Sequence, residues 1–261
     1  MGGAVGPADA ALIAAGVRDL LGLHATYLGV PFADVPTFLS FASVSRTRTL
    51  GRNSWAFVVW PTLAIDGRVP FTVLIDSAGG RRTLAWLQAW NLAHESAHFY
   101  FGTRYVPRGP LRPFLGESTA EYLALRAVQA QRGDSLYGVL VRGHARAAAR
   151  EVARSGPFVP LDSVRGAGQI GVAHRYEFGP LLLLALEHYV GADAVRRTLA
   201  GLVRDAPAGD VDYAAFRARV ARAGGSEAGL RRFEADCLHA AAADFERGCL
   251  AQLAAGGGAA H

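Results

Sequence analysis

The sequence predicts an α+β protein in which a small N-terminal β-sheet lobe is followed by a mainly helical C-terminal lobe, with a cleft between them. Between residues 27 and 78, proline and glycine separate short runs of β-branched and aromatic residues, which is typical of strands. From Thr83 onward, apolar residues recur at helical spacing. We therefore expect one domain over residues 1–261, with the sheet lobe at about 1–80 and the helical lobe at about 81–250.

The predicted elements follow these patterns along the chain. Residues 8–23 have helical spacing of apolar side chains, and the runs FLSFASV, SWAFVVW and PFTVLID are predicted strands. Further helices are predicted at 83–101, 117–131, 135–154, 178–190, 193–204, 212–222 and 226–250. The glycine-rich tail at 251–261 is expected to be disordered.

The net charge of +5 at first suggests a nucleic-acid or membrane partner. Every basic residue is arginine, however, and the arginines are scattered among acidic residues along the chain. No nucleic-acid-binding motif accompanies them, so no nucleic-acid partner is expected. Because 51% of the residues are apolar and only 19% are charged, the chain is expected to build a substantial core.

The cysteines and the N-terminus bear on where the protein works. Cys237 and Cys249 are too few for a disulfide scaffold and are expected to be reduced packing residues. The N-terminus lacks a basic start followed by an apolar core, and the longest strongly apolar stretch, residues 178–186, is too short to span a membrane. A cytoplasmic protein with no membrane partner is therefore expected.

The segment HESAH at residues 94–98 carries the strongest chemical signal. His94 and His98 lie one turn apart on a helix, so both imidazoles can reach one metal ion. Glu95 lies beside the pair, where it can deprotonate a water molecule. The alternative is a chance pattern on a helix with a spare histidine.

A third ligand is predicted after eighteen intervening residues. Catalytic zinc needs three protein ligands and an open position, and Glu117, at the start of the next helix, can complete the set with His94 and His98. Glu121, one turn later, can accept the remaining ring N–H of a ligating histidine, His94 above all. The alternative is a solvated glutamate pair at a helix start, where the helix dipole favours acids.

These motifs resemble those of the gluzincins related to aminopeptidase N and leukotriene hydrolase, over roughly residues 15–220. In that family H-E-x-x-H is followed by an aromatic pair and glycine, and the third ligand lies in an N-E-G-F-A-x-Y segment. The residues that match are Phe101, Gly102, Glu117, Ala120 and Tyr122. The resemblance implies a gluzincin-like fold with one Zn²⁺ per chain.

A second match concerns RYEFGPLLLLALEHYVGADAVRRTLAGLV, which is similar to the family's Y-E-K-G segment and the helices after it. The resemblance implies that Tyr176 is the catalytic tyrosine, whose phenol donates a hydrogen bond to the developing oxyanion. The alternative for Tyr176 is an ordinary aromatic residue at the start of a helix.

The chain departs from the family where aminopeptidases carry G-x-M-E-N, whose glutamate binds the free amino group of the substrate. The corresponding segment here, GRNSW at residues 51–55, has no glutamate. Arg52 would repel an α-amine, so aminopeptidase activity is not expected, and Arg52, Asn53 and His174 are candidate substrate-binding residues. The chain also ends before the family's C-terminal helical domain, so we expect an open cleft or one covered by a second copy or another partner.

The sequence therefore predicts a zinc-dependent hydrolase, a peptidase or amidase, acting on a peptide or a small-molecule acyl substrate. One alternative is a biosynthetic zinc hydrolase that acts on an ester or an epoxide. Another is a non-catalytic zinc-binding interaction module.

Overall fold

A computed structural model describes residues 7–32, 37–41, 56–59, 61–66, 75–76, 83–84, 86–240 and Cys249. The helices are α1 Pro7–Leu28, α2 Trp86–Ala97, α3 Thr119–Arg132, α4 Asp134–Ser155, α5 Gly179–Val190, α6 Ala192–Asp205, α7 Tyr213–Arg222 and α8 Glu227–Phe233. Single π-helical turns span Phe114–Ser118, His174–Phe178 and Glu234–Leu238, and short 3₁₀ turns span Leu161–Ser163 and Ala167–Gln169.

The strands are short. They are β1 Thr37–Phe41, β2 Ala56–Val59, β3 Thr62–Asp66, β4 Ile75–Asp76 and β5 Thr83–Leu84. In the three-stranded sheet, the central strand β3 runs parallel to β1, with Thr37 opposite Thr62, and antiparallel to β2. The two-residue strands β4 and β5 form a separate antiparallel pair.

The expected N-terminal β-sheet lobe is not supported. The part of the chain that the structure describes is mainly helical, and its strands are two to five residues long. Helix α1, which the sequence analysis counted with the sheet lobe, packs against α2, α3 and α6 instead. Its apolar stripe, which includes Ile13, Val17 and Leu20, is buried in the same core as those helices. The first helix therefore belongs to the helical body.

Helix α5 forms the centre of that body. All residues from Leu181 to Leu186 are buried, because α3, α6 and α8 pack around the helix. A helix that is apolar on every side is stable only when it is enclosed in this way. Pro180 lies in its first turn, where no intrahelical N–H is needed. The helical pattern that predicted residues 178–190 is confirmed within one residue at the N-terminal end.

Among the helices that the structure describes, none combines the length and the apolar character that crossing a lipid bilayer requires.

The cysteine prediction is wrong: Cys237 and Cys249 form a disulfide rather than two reduced thiols. The π turn at Glu234–Leu238, which interrupts the predicted helix 226–250, carries Cys237, and the Cα atoms of the pair are 5.2 Å apart. Disulfides persist in oxidising compartments and are rare in the cytosol. The cytoplasmic location that the sequence analysis expects stays a prediction.

Removing this disulfide is expected to destabilise the protein. The cysteines are 12 residues apart in sequence, and closing a loop of that size restricts the unfolded chain by about 3 kcal/mol. We expect the double variant Cys237→Ser/Cys249→Ser to unfold at lower urea concentration, in proportion to that loss. Two free thiols in the purified, unreduced protein after denaturation would contradict the bond itself.

Candidate active site

Helix α2 and the turn after it carry the two histidines of the HESAH segment. His94 lies in the last turn of α2, and His98 follows its final residue, Ala97. Their ring centroids are 4.9 Å apart. The first π turn, Phe114–Ser118, brings Glu117 against both rings, so that Glu117 Oε2 lies 3.5 Å from His94 Nε2 and 3.4 Å from His98 Nε2. Two imidazoles and one carboxylate thus face a common point.

These separations fit a shared metal ion better than direct hydrogen bonds. A charge-assisted N–H···O bond is about 2.7–2.9 Å long, which is shorter than either distance. In tetrahedral zinc with bonds of about 2.0–2.1 Å, neighbouring ligand atoms lie about 3.3–3.4 Å apart. The ligand atoms of His94, His98 and Glu117 all lie within 4.8 Å of one another. The donor set and its spacing therefore fit zinc.

The second nitrogen of each ring is held by an acceptor. His94 Nδ1 donates to Glu121 Oε2 at 2.7 Å, which is the contact that the sequence analysis predicted. His98 Nδ1 donates to the backbone oxygen of Phe101 at 3.0 Å. Because both Nδ1 atoms carry the proton, both Nε2 lone pairs are directed toward the common point.

Gly102 makes the contact between His98 and Phe101 possible. Its φ of +147° lies in a region that favours glycine, and an added Cβ would come within 3.2 Å of the His98 backbone oxygen. The chain therefore reverses tightly around the His98 ring and presents the Phe101 carbonyl to it. The glycine that follows the aromatic pair in the sequence has this physical role.

A histidine from another helix forms a hydrogen bond with the backbone of the HESAH helix. His24 of α1 donates from Nε2 to the backbone oxygen of Ala93 at 2.8 Å, and Ser96 Oγ lies 3.1 Å from the same nitrogen. Burial lowers the pKa of His24 to about 4, so the ring is neutral. The sequence analysis did not single out His24, because its partners lie about 70 residues away.

The charges around the common point favour a cation. Burial by itself would lower the pKa of His94, but the carboxylates of Glu117 and Glu121 raise it to about 10. Burial likewise opposes ionisation of Glu117, but its contacts with His94 and His98 hold its pKa well below the usual range. The carboxylates that favour a proton on His94 equally favour a metal ion in the place of that proton.

Glu95 is nearly buried, with 8% of its surface exposed, beside the two histidines. Burial raises the pKa of its carboxyl group, and the neighbouring charges of His94 and His98 oppose the rise. A carboxylate whose pKa is shifted toward neutrality is suited to accept and return a proton.

Tyr176 reaches the site from the second π turn, His174–Phe178. Its ring centroid lies 5.8 Å from that of His94. Burial and the nearby Glu117 carboxylate raise the pKa of the phenol above its usual value, so the hydroxyl keeps its proton. The phenol is therefore a hydrogen-bond donor beside the three candidate ligands.

The two π turns pack directly against each other. Ser118 Oγ in the first donates to the backbone oxygen of Arg175 in the second, at 2.8 Å. Gly179 permits this approach, because a Cβ there would overlap the Ser118 hydroxyl and lie 2.9 Å from the His174 backbone oxygen. π turns are rare in proteins as a whole, but many of those that occur lie at functional sites. Here the two turns carry Glu117 and Tyr176. Packing between the turns thus sets how these two side chains lie relative to each other.

Gly179→Ala is therefore expected to destabilise the fold by about 1–3 kcal/mol and to lower turnover by moving the second π turn. Gly201→Ala on α6 is the matched control, because a Cβ there meets only Asp205 Oδ2, at an ordinary 3.7 Å. That control should gain about 0.5–1 kcal/mol from higher helix propensity. Urea denaturation and initial rates measure both effects, and a Gly179→Ala protein as stable as the wild type would contradict the packing argument.

The structure describes only one of the three candidate substrate-binding residues. Arg52 and Asn53 lie outside the described residues. The His174 ring packs against Phe158 and Phe178, with centroids 5.3 and 5.2 Å away, and burial lowers its pKa to about 4. A role for these three residues in substrate binding stays a prediction.

Sequence reasoning also missed His144. The His144 ring lies between Glu121 and Glu177, on the side of Glu121 away from His94. Its signal in the sequence is weak, because a lone histidine on a helix gives no indication of partners on two other elements.

The fold resembles that of M1 zinc metallopeptidases. The M1 zinc metallopeptidase of Deinococcus radiodurans matches 84% of this chain with a TM-score of 0.57 and 22% identity. A mutant of that protein bound to the substrate Tyr-Ser-Ala matches 82% of the chain with a TM-score of 0.54 and 19% identity. A mutant of a two-domain M1 zinc metallopeptidase, bound to L-tryptophan, also matches 82% of the chain, with a TM-score of 0.52 and 21% identity.

The match covers 43% of the first of these structures and 42% of the other two, so this chain spans less than half of their length. No protein-family model matches the sequence, and no curated protein matches it. At these identities the likeness concerns the fold.

Proposed function

We propose that the protein is a zinc-dependent hydrolase that cleaves an amide bond. The observation that carries the proposal is the position of Glu117 Oε2, 3.4–3.5 Å from the Nε2 atoms of both His94 and His98. Glu95 and Tyr176 lie around the same point, so the residues for binding a metal, moving a proton and stabilising an oxyanion are close together. The resemblance of the fold to zinc metallopeptidases supports the same reading.

Each residue has a distinct role in the proposed reaction. His94, His98 and Glu117 hold the ion, and zinc in such a site polarises a carbonyl group and lowers the pKa of water. Glu95 accepts the proton of the attacking water and passes it to the departing nitrogen. The Tyr176 hydroxyl donates a hydrogen bond to the carbonyl oxygen as that oxygen gains negative charge.

The substrate class is a peptide or a small acyl amide without a free α-amine at the cleavage site. The GRNSW segment offers an arginine where the aminopeptidases offer a glutamate, and a positively charged guanidinium does not bind an ammonium group. An arginine there favours a carboxylate or another anionic group, which it can bind with two parallel hydrogen bonds. The proposal includes a substrate cleft that is either open or covered by a second copy or another partner.

A substrate screen with the zinc-loaded protein tests the proposal. Internally quenched peptides with blocked amino termini are expected to be cleaved, whereas amino-acid anilides with free amines are expected to be poor substrates. Activity restricted to the anilides would contradict the argument about the amine, and activity restricted to esters or epoxides would replace amide hydrolysis. Zinc bound at one per chain with no hydrolysis of any of these would favour a non-catalytic module.

Metal removal gives a second test. Dialysis against a chelator is expected to abolish hydrolysis, and addition of one equivalent of Zn²⁺ is expected to restore it, because the three candidate ligands supply the only proposed binding site. Full activity of protein shown by elemental analysis to be free of metal would contradict the proposal.

A further inference from the structure

His144 lies on the inner face of α4, with 6% of its surface exposed, and both of its ring nitrogens contact carboxylates. Nε2 lies 3.1 Å from Glu121 Oε1, and Nδ1 lies 2.8 Å from Glu177 Oε2. His144 Nδ1 donates to Glu177 and Nε2 forms an ion pair with Glu121, so the two carboxylates favour the positively charged form of the imidazole. Burial alone would lower the pKa of His144, but the two carboxylates raise it to about 9.

Glu121, His144 and Glu177 thus form a bridge of contacts. At one end of this bridge, Glu121 joins His144 to the candidate metal site. Its Oε2 accepts from His94 Nδ1 at 2.7 Å, and its Oε1 accepts from Trp90 Nε1 at 2.7 Å and forms an ion pair with His144 Nε2 at 3.1 Å. Glu121 is fully enclosed, and burial opposes its ionisation, but its bonds to His144 and His94 lower its pKa to about 2. The cation at His144 therefore compensates the buried charge of the carboxylate that orients His94.

At the other end, Glu177 joins His144 to the second π turn. Glu177 directly follows Tyr176, and the turn packs against α4 and against the first π turn. The bond from His144 fixes the Glu177 carboxylate on α4, which restricts the backbone that carries the Tyr176 phenol. One imidazole is thus linked through one carboxylate to a candidate ligand and through another to the candidate oxyanion donor.

We infer that His144 and Glu177 are positioning residues, which hold the His94 ring and the Tyr176 phenol in a fixed relation at the candidate metal site. The inference rests on the proposed zinc hydrolase function and adds residues that touch neither the ion nor the substrate. The bridge acts through Glu121 on the metal side and through the second π turn on the tyrosine side.

A plain stabilising ion pair is the competing explanation. A stabilising pair would affect the free energy of unfolding in the same way as any buried contact of α4, and nothing else. Positioning residues affect metal affinity and turnover in folded protein as well. The two explanations therefore differ in measurements made far below the unfolding transition.

The first experiment measures zinc affinity by competition with a chromogenic chelator. His144→Gln is expected to weaken zinc binding by about 10–100-fold, as is typical when support for a ligating histidine is lost, and to change the visible absorption spectrum of the Co²⁺-loaded protein. Val141→Ala, at a buried apolar residue of the same helix, is the matched control and should lower stability while keeping both properties. An affinity for His144→Gln within about twofold of that control would overturn the metal side of the inference.

The second experiment addresses the tyrosine side and does not depend on a variant of His144. Glu177 is one-third exposed, so Glu177→Ala is expected to fold. We expect kcat to fall about tenfold or more with KM nearly unchanged, because the phenol is misplaced. Glu177→Gln should recover most of this loss, since its amide oxygen still accepts from His144 Nδ1.

A double-mutant cycle makes the tyrosine side specific. In the Tyr176→Phe background the donor is already absent, so Glu177→Ala should lower kcat no further. Independent, additive losses would overturn the inference on this side. Zinc binding without hydrolysis would remove the proposed function, but the chelator competition would still decide the metal side; a wild-type protein that binds no zinc would overturn both.

Discussion

The Glu95→Gln variant is expected to bind one zinc per chain and to hydrolyse its substrate about 10²–10⁴-fold more slowly than the wild type. Glutamine preserves the size of the side chain and its place beside His94 and His98, so the candidate ligands are undisturbed. The amide cannot accept a proton near neutral pH, however, and the attacking water then lacks its base. The raised pKa of the buried Glu95 carboxyl is the property that this substitution removes.

The measurement pairs initial rates with elemental analysis of the same sample. Glu151→Gln, on α4, is the matched control, because Glu151 contacts the exposed Arg154 rather than the site. The control should keep wild-type turnover and zinc content. Undiminished hydrolysis by Glu95→Gln would rule out the proton-transfer role of Glu95.

Loss of a ligand is expected to have the second large effect. Glu117→Ala and His98→Ala should each lose zinc and turnover together, because two remaining donors do not hold the ion at low concentration. The loss of zinc affinity should be larger than the loss of about 10–100-fold that is typical when a supporting residue is removed. Chelator competition on the folded variants measures it, with circular dichroism as the check on folding.

Glu121→Gln is the graded control for this series. Its amide oxygen still accepts from His94 Nδ1, so zinc affinity should fall less than in Glu117→Ala. An order in which Glu121→Gln loses zinc and Glu117→Ala keeps it would exchange the roles assigned to the two carboxylates. Retention of zinc at wild-type affinity by Glu117→Ala would exclude Glu117 as a ligand.

The spacing of the HESAH segment and of Glu117 and Glu121 was enough to predict which side chains converge. Helical periodicity places His94 and His98 on one face, and a helix returning after eighteen residues brings the carboxylates to it. The contact from His94 to Glu121 appears at 2.7 Å as predicted. These are local patterns, and local patterns can be read from one sequence.

The remaining features depend on contacts between distant residues. The π turn that carries Glu117 begins at Phe114, so the helix predicted to start at 117 is preceded by a different geometry that periodicity does not distinguish. His144 meets Glu121 and Glu177 only because α4 packs between them. The prediction of a sheet lobe was not supported for a related reason. Helix α1 has the periodicity of any amphipathic helix, and only its packing shows that it belongs to the helical body.

X-ray absorption spectroscopy of the zinc-loaded protein tests the central claim most directly. The account predicts zinc at one per chain, bound by two imidazole nitrogens and a carboxylate oxygen at about 2.0–2.1 Å, with one further light-atom ligand. In Glu117→Ala this pattern should disappear along with the bound zinc. Sulfur ligands, a single imidazole, or an unchanged spectrum in that variant would contradict a site built from His94, His98 and Glu117.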